Sequence, residues 1–228
     1  MNPSFVISQQ PTGTTCGPTA LHSVYASYGD TVSLDDVIGS VTTLPSGGTI
    51  DAFLGIDALQ RGYDATIMAT NISVFDPTWA ILDMESLADK LKQAYFLAEH
   101  DATRRDVIAG YMKFIQLGGK ITICRSMPVN MFLRMEHYFP VICGVSYTAL
   151  FNCERYDDPT DTPDEYGTSV GHFIVVHNYD SAHQEVTVAD PWNGDCGQHY
   201  NISVDELNRA LLYGTLTNDG GILIVRSK

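Results

Sequence analysis

Gln10-Pro-Thr-Gly-Thr-Thr-Cys16-Gly-Pro-Thr-Ala-Leu21 is a polar, turn-rich loop that runs directly into a helix, with a cysteine at the junction. Pro18 suits the first turn of a helix, where its missing N–H costs nothing. Ala20, Leu21, Val24 and Tyr25 continue at helical spacing and predict a helix over residues 16–28, stopped by Gly29-Asp30. A cysteine at such a helix start meets unpaired N–H groups and the positive end of the dipole, both of which favour a thiolate. Gln10, six residues upstream, is placed to fold back and aim its side-chain amide at an oxyanion beside the sulfur. A nucleophile prepared in this way needs a histidine and a carboxylate from elsewhere in the chain.

Both are present. His172, in Gly171-His172-Phe-Ile-Val-Val, opens a strand over 173–178, and Asp190, in Val188-Ala-Asp190-Pro191, ends a strand over 185–189. The turn through Asp180-Ser-Ala-His joins the two strands, and Pro191 terminates the ladder. If they pair as a hairpin, the start of one lies beside the end of the other, which makes His172 and Asp190 neighbours on one edge of the sheet. His177, five positions after His172, points to the opposite face by strand parity and reads as packing or solvent-facing. Taken singly, each residue has an ordinary reading: a buried free cysteine, a surface histidine, a turn aspartate before proline. The combination is what points to thiol chemistry.

Around these residues the chain reads as helices first and a sheet last, an α+β order. Ser33-Leu-Asp-Asp36 resembles a capped start for a short helix to about residue 41, and Pro45-Ser-Gly-Gly48 is a turn. Thr49 is expected to cap a helix whose Ile50, Phe53, Leu54 and Ala58 share one face, with Gly62 at its end. A strand follows over 65–69. Residues 76–118 are strongly helical, with apolar stripes Leu87, Leu91, Ala94, Tyr95 and Val107, Tyr111, Phe114, and with Asp101 as a cap. Strands are expected at 120–124 and 140–146, a helix at 129–138, and a capping box at Ser203-Val-Asp-Glu206 before a final helix and the closing strand 221–226. The simplest organisation is one domain over 1–228, helical to about residue 118 and sheet-forming from about 119. The acidic, Pro-rich stretch 154–166 holds six carboxylates in a spacing that matches no EF-hand loop, and reads as a solvated rim or lid before His172.

Composition removes several function classes. Lys+Arg number 13 against 27 Asp+Glu, a net charge of -14, which argues against nucleic acid or an anionic membrane as partner. No stretch approaches the roughly 18 apolar residues of a membrane span, and the first eight residues lack the basic start and apolar run of a secretory signal. Five cysteines with no Cys-x-x-Cys pair indicate neither a disulfide framework nor a zinc site, and nothing points to a metal or organic cofactor. The expectation is a cytoplasmic protein with reduced thiols. The oligomeric state is not legible.

Gln10…Cys16-Gly-Pro-Thr-Ala-Leu21, Pro140-Val-Ile, Gly171-His172-Phe-Ile-Val-Val and Val188-Ala-Asp190-Pro191-Trp-Asn-Gly194 together resemble the bacteriocin-processing, double-glycine-leader cysteine peptidases of the papain-like superfamily, in their stand-alone form. The four segments follow the family's order across most of the chain. No exporter domains accompany them, and the stretch of about residues 70–138 is longer than the connection in a minimal leader peptidase. The resemblance implies a papain-like α+β fold with a helical N-terminal lobe and an antiparallel C-terminal sheet. It also implies Cys16 as nucleophile, His172 as base and acid, Asp190 as its orienter and Gln10 as oxyanion donor, acting on a peptide or protein. The same residues would also serve an acyltransferase or thioesterase, and a silent binding module of the same fold is the reading from a different class.

Overall fold

The computed structural model describes residues 5–126, 139–156, 166–217 and 220–228. The helix expected at 129–138 and most of the acidic stretch 154–166 fall outside these residues. The architecture is α+β, built on one seven-stranded sheet with helices on both faces. In chain order come α1 (Cys16–Ser27), α2 (Leu34–Ser40), α3 (Asp51–Gln60), β1 (Asp64–Ala69), a 3-10 turn at Pro77–Ile81, α4 (Met84–Leu97) and α5 (Ala102–Gln116). β2 (Lys120–Ile123), β3 (Val141–Ser146), α6 (Tyr147–Phe151), β4 (Gly171–Asp180), β5 (Glu185–Ala189), β6 (His199–Ser203), α7 (Val204–Gly214) and β7 (Gly221–Arg226) complete it.

The sheet order is β2-β1-β7-β3-β4-β5-β6. β3, β4, β5 and β6 form the antiparallel part expected from the second half of the chain. The sheet is nevertheless mixed, because β1 and β2 run parallel. β1, from the predominantly helical half, is an interior strand that pairs with β7 over six positions from Asp64↔Arg226 to Ala69↔Gly221. That pairing joins the two halves through backbone hydrogen bonds as well as packing.

Strand alternation divides the core into two layers. Ile142, Phe173, Val175 and Leu223 face the helices of the first half, while Cys143, Ile174, Val176 and Ile222 face α7 on the other side. The helix starts largely follow their local chemistry. Ser33 accepts from Asp36 N, Asp101 accepts from Arg104 N, and Ser203 and Glu206 form the reciprocal capping box. Thr49 is the exception. Its hydroxyl donates to the Thr42 carbonyl at 2.9 Å, bracing the turn at Pro45, and Ile50 occupies the α3 cap position without a side-chain hydrogen bond. The α3 C-terminus behaves as expected, with Gly62 at φ 92° in the left-handed region.

One glycine sets the position of the first helix. α1 packs on β4, and a Cβ added to Gly17 would lie 2.6 Å from Thr49 Cγ2 and 3.1 Å from Phe173 Cδ2. Only a residue without a side chain lets the helix start approach the residue that follows His172. This close approach brings Cys16 to the beginning of β4.

Candidate active site

Cys16 is the first residue of α1 and is 8% exposed. Thr15 precedes it as N-cap, but its hydroxyl bonds back to Thr12 and makes no capping hydrogen bond to the helix. The first-turn N–H groups at the sulfur therefore lack the carbonyl partners that helix geometry supplies from the second turn onward. Pro18 N-terminal to the helix interior adds no donor that would need one.

His172 sits at the start of β4, and it is buried at 5% exposure rather than lying on an open sheet edge. β4 is an interior strand: Val145 of β3 pairs with His172 on one side, and Asp190, just beyond β5, meets it on the other. Asp190 immediately follows β5 and is completely buried. The register Val175↔Ala189 places Asp190 opposite Ile174 by extension, so His172 is its diagonal neighbour. His172 Nε2 and Asp190 Oδ1 are 2.7 Å apart. With that nitrogen engaged, Nδ1 is the ring atom left to face the Cys16 thiol, whose nearness helps raise the His172 pKa. The structure thus brings Cys16, His172 and Asp190 together in the order thiol, imidazole, carboxylate.

The electrostatics of the imidazole follow from these partners. Burial by itself pushes the His172 pKa down, but hydrogen bonds to Asp190 and Cys16 and the charge on Asp190 outweigh it and raise the value from 6.5 to about 10. The imidazolium is the favoured form in this environment. Two other cysteines differ in kind. Burial pushes the Cys124 thiol up to about 11 and the Cys143 thiol higher still. All five thiols are free.

Gln10 is also part of the assembly. Its backbone N–H donates to the Pro191 carbonyl at 2.9 Å, tying the N-terminal arm to the residue after Asp190. Its side-chain Nε2 donates to the Thr12 carbonyl at 2.8 Å. A carbonyl accepts only, which fixes which end of the amide is nitrogen and leaves one N–H for another acceptor. Gln10 and His172 line the same cleft of about 200 Å³, together with Gly13, Tyr147, Tyr156, Gly171 and Trp192. Three larger depressions among the described residues, beside α3 and α5, beside the 3-10 turn and α4, and between α4 and α5, contain none of the four residues.

Several residues that the sequence reading did not single out complete the site. Trp192 N donates to Asp190 Oδ1 at 2.7 Å in a turn through Pro191. The Tyr200 hydroxyl donates to Asp190 Oδ2 at 2.7 Å. The Tyr147 ring meets His172 edge to face at 5.7 Å, and Tyr147 and Trp192 line the same cleft. The Trp192 spacing was readable as an Asp-Pro-Trp turn, whereas Tyr200 reaches the site only through the β5–β6 register. His177 stacks on Phe5 at 5.1 Å and meets His199 edge to face, so it packs rather than joining the site. Among the described residues no group of three or more His, Cys, Asp or Glu side chains converges as a metal site would, and no helix is long and apolar enough to cross a membrane.

The Peptidase_C39 like family model matches residues 4–213, and the chain belongs to that family of cysteine-peptidase-like proteins. None of the curated protein sequences matches it. Among solved structures it is similar to the peptidase domain of Streptococcus ComA, a bifunctional ABC transporter involved in a quorum-sensing pathway, at 13% identity and TM-score 0.49, covering 98% of this chain and 99% of that one. It is also similar to a double glycine motif protease from an AMS/PCAT transporter in complex with its leader peptide (16% identity, TM-score 0.47, covering 98% and 91%). A third similar structure is a putative C39-like peptidase from Bacillus anthracis (12% identity, TM-score 0.48, covering 99% and 95%).

Proposed function

We propose that this chain is a cysteine peptidase, acting as one domain over residues 1–228, that cleaves peptide bonds through Cys16, His172 and Asp190 with Gln10 as oxyanion donor. The observation that carries the reading is the placement of a buried His172 between Asp190 Oδ1, at 2.7 Å, and the thiol of Cys16. A structural cysteine has no need of that arrangement, and it sits in a chain of a peptidase family.

The Cys16 thiolate attacks the scissile carbonyl carbon and the C=O electron pair moves onto oxygen. The second N–H of Gln10 Nε2 and the first-turn N–H groups of α1 stabilise that oxyanion. As the oxyanion collapses, the C–N bond breaks and the His172 imidazolium gives its proton to the departing amine, leaving a thioester on Cys16. The now neutral imidazole takes a proton from water, whose oxygen attacks the thioester. Collapse releases the carboxylic acid and restores the thiolate–imidazolium pair. Asp190 takes no part in the bond changes and holds the ring so that Nδ1 faces the sulfur. The substrate is a peptide or protein, and the site of action is cytoplasmic, consistent with a site built on a reduced thiol.

Cleavage of a peptide library by the wild-type chain, lost in Cys16→Ala with an unchanged fold by circular dichroism, is the expected result. Retained cleavage by Cys16→Ala would overturn the assignment. Turnover of acyl thioesters without any peptide cleavage would replace it with an acyl-transfer or thioesterase reading on the same residues.

A further inference from the structure

Asp190 occupies the centre of a three-strand arrangement. On one side His172 reaches it diagonally from β4; on the other, Asp190 N bonds to Gln198 O and Tyr200 reaches it diagonally from β6. The carboxylate is completely buried, and its two oxygens have separate duties. Oδ1 accepts from His172 and from Trp192 N, while Oδ2 accepts from the Tyr200 hydroxyl. Tyr200 is itself held by Phe151 of α6, ring centroids 6.0 Å apart, and by the register Val188↔Tyr200.

We propose that Tyr200 is a positioning residue: through Asp190 Oδ2 it fixes the plane of the carboxylate and limits the negative charge presented to the His172 imidazole. This rests on the peptidase reading for its catalytic meaning, but its physical basis is independent of any substrate. A carboxylate that gives charge to a third donor is a weaker acceptor for the remaining two. Without the tyrosine hydroxyl, Oδ2 would be buried with no partner, and its charge would return to Oδ1. The imidazolium would then hold its proton more tightly and become a poorer acid towards the departing amine. Burial and the Asp190 charge both keep the Tyr200 hydroxyl protonated, so it remains a donor at any working pH. The other titratable groups facing this cluster among the described residues are Cys16 on α1 and Tyr147 on α6, with Cys153 just after α6 and Asp195 and Cys196 in the loop after Asp190 farther out.

The test is the His172 titration, read by NMR of isotope-labelled imidazole in the full chain. In Tyr200→Phe the midpoint rises by about half a pH unit or more, the scale on which one charge-assisted hydrogen bond acts through a neighbour, and the Nε2 proton signal moves downfield. In Tyr200→3-fluorotyrosine, nearly isosteric and a stronger donor, the midpoint falls, which keeps the test decisive if the phenylalanine variant does not fold. On an Asp190→Asn background Tyr200→Phe moves nothing further. A titration unmoved by both substitutions, or moved equally on the Asp190→Asn background, would overturn the proposal. Cys16 alkylation separates this outcome from failure of the peptidase reading. A wild-type Cys16 that is not selectively alkylated counts against catalysis, while the His172 titration still reports whether Tyr200 acts through Asp190.

Discussion

His172 Nε2 and Asp190 Oδ1 meet at 2.7 Å from diagonal positions on adjacent antiparallel strands, and neither side chain is open to solvent. A buried carboxylate facing an imidazole stabilises the imidazolium, and the Cys16 thiol on the other side of the ring adds to it. A folded-state value raised from 6.5 to about 10 means that the pair contributes stability fully present below 6.5 and lost as pH climbs through about 10. An NMR titration of the wild-type chain should place the His172 midpoint near 10. A midpoint at or below 6.5 would show that burial, not the partners, dominates the ring.

Asp190→Asn removes the charge but keeps the shape. The His172 midpoint should fall, and peptide turnover should drop by about 10²-fold or more, as expected when the orienting carboxylate of such a site becomes an amide. Cys16→Ser should lower the same midpoint by a smaller amount, since the thiol raises the His172 value less than the Asp190 carboxylate does. Steady-state cleavage assays and the same NMR titration check both.

Gly17→Ala tests the close approach that carries Cys16 to β4. The new methyl would meet Thr49 Cγ2 at 2.6 Å and Phe173 Cδ2 at 3.1 Å. Something must move, at a cost of about 1–3 kcal/mol, and the helix start is the element that also bears the nucleophile. Urea denaturation should show the loss of stability, and alkylation of Cys16 should slow relative to wild type. Unchanged stability together with an unchanged alkylation rate would mean that the neighbours yield without disturbing the site.

A second buried acid gives a prediction about stability alone. Asp51 accepts from Tyr111 at 2.8 Å, its Oδ2 has no hydrogen-bond partner among the described residues, and burial pushes its pKa up from 3.8 to about 7. The folded state then binds a proton that the unfolded state has released between about pH 4 and pH 7. Its contribution is present below 3.8 and lost as pH rises through about 7, an effect on the order of 4 kcal/mol in total. The stability of Asp51→Asn relative to wild type should therefore rise between pH 4 and pH 7.5, measured by urea denaturation at both. A constant difference would show that the carboxyl titrates normally.

Much of this was legible from local chemistry. Cys16 before Gly17-Pro18, the Ser203–Glu206 box and the turn between β4 and β5 each declare themselves within a few residues, because caps and tight turns are local structures. Thr49 was misread because a threonine before an apolar helix face is equally able to bond backward, and here it braces the Thr42 carbonyl. α6 escaped notice because Tyr147-Thr-Ala-Leu-Phe151 prolongs the apolar run of β3, with only the Ser146 cap to mark the change. The parallel pairing of β1 with β2 and the contact of Tyr200 with Asp190 depend on partners chosen across the sheet, and no spacing within either segment encodes them.

The central claim, that Cys16 is the nucleophile of a thiolate–imidazolium pair, is tested most directly by limiting iodoacetamide at pH 6 followed by peptide mass spectrometry. Cys153 and Cys196 are exposed, and Cys16 is 8% exposed, so accessibility and activation predict opposite outcomes. The account predicts that the first adduct forms on Cys16 and that His172→Ala abolishes this preference. Labelling of Cys153 and Cys196 ahead of Cys16 in the wild-type chain would contradict it.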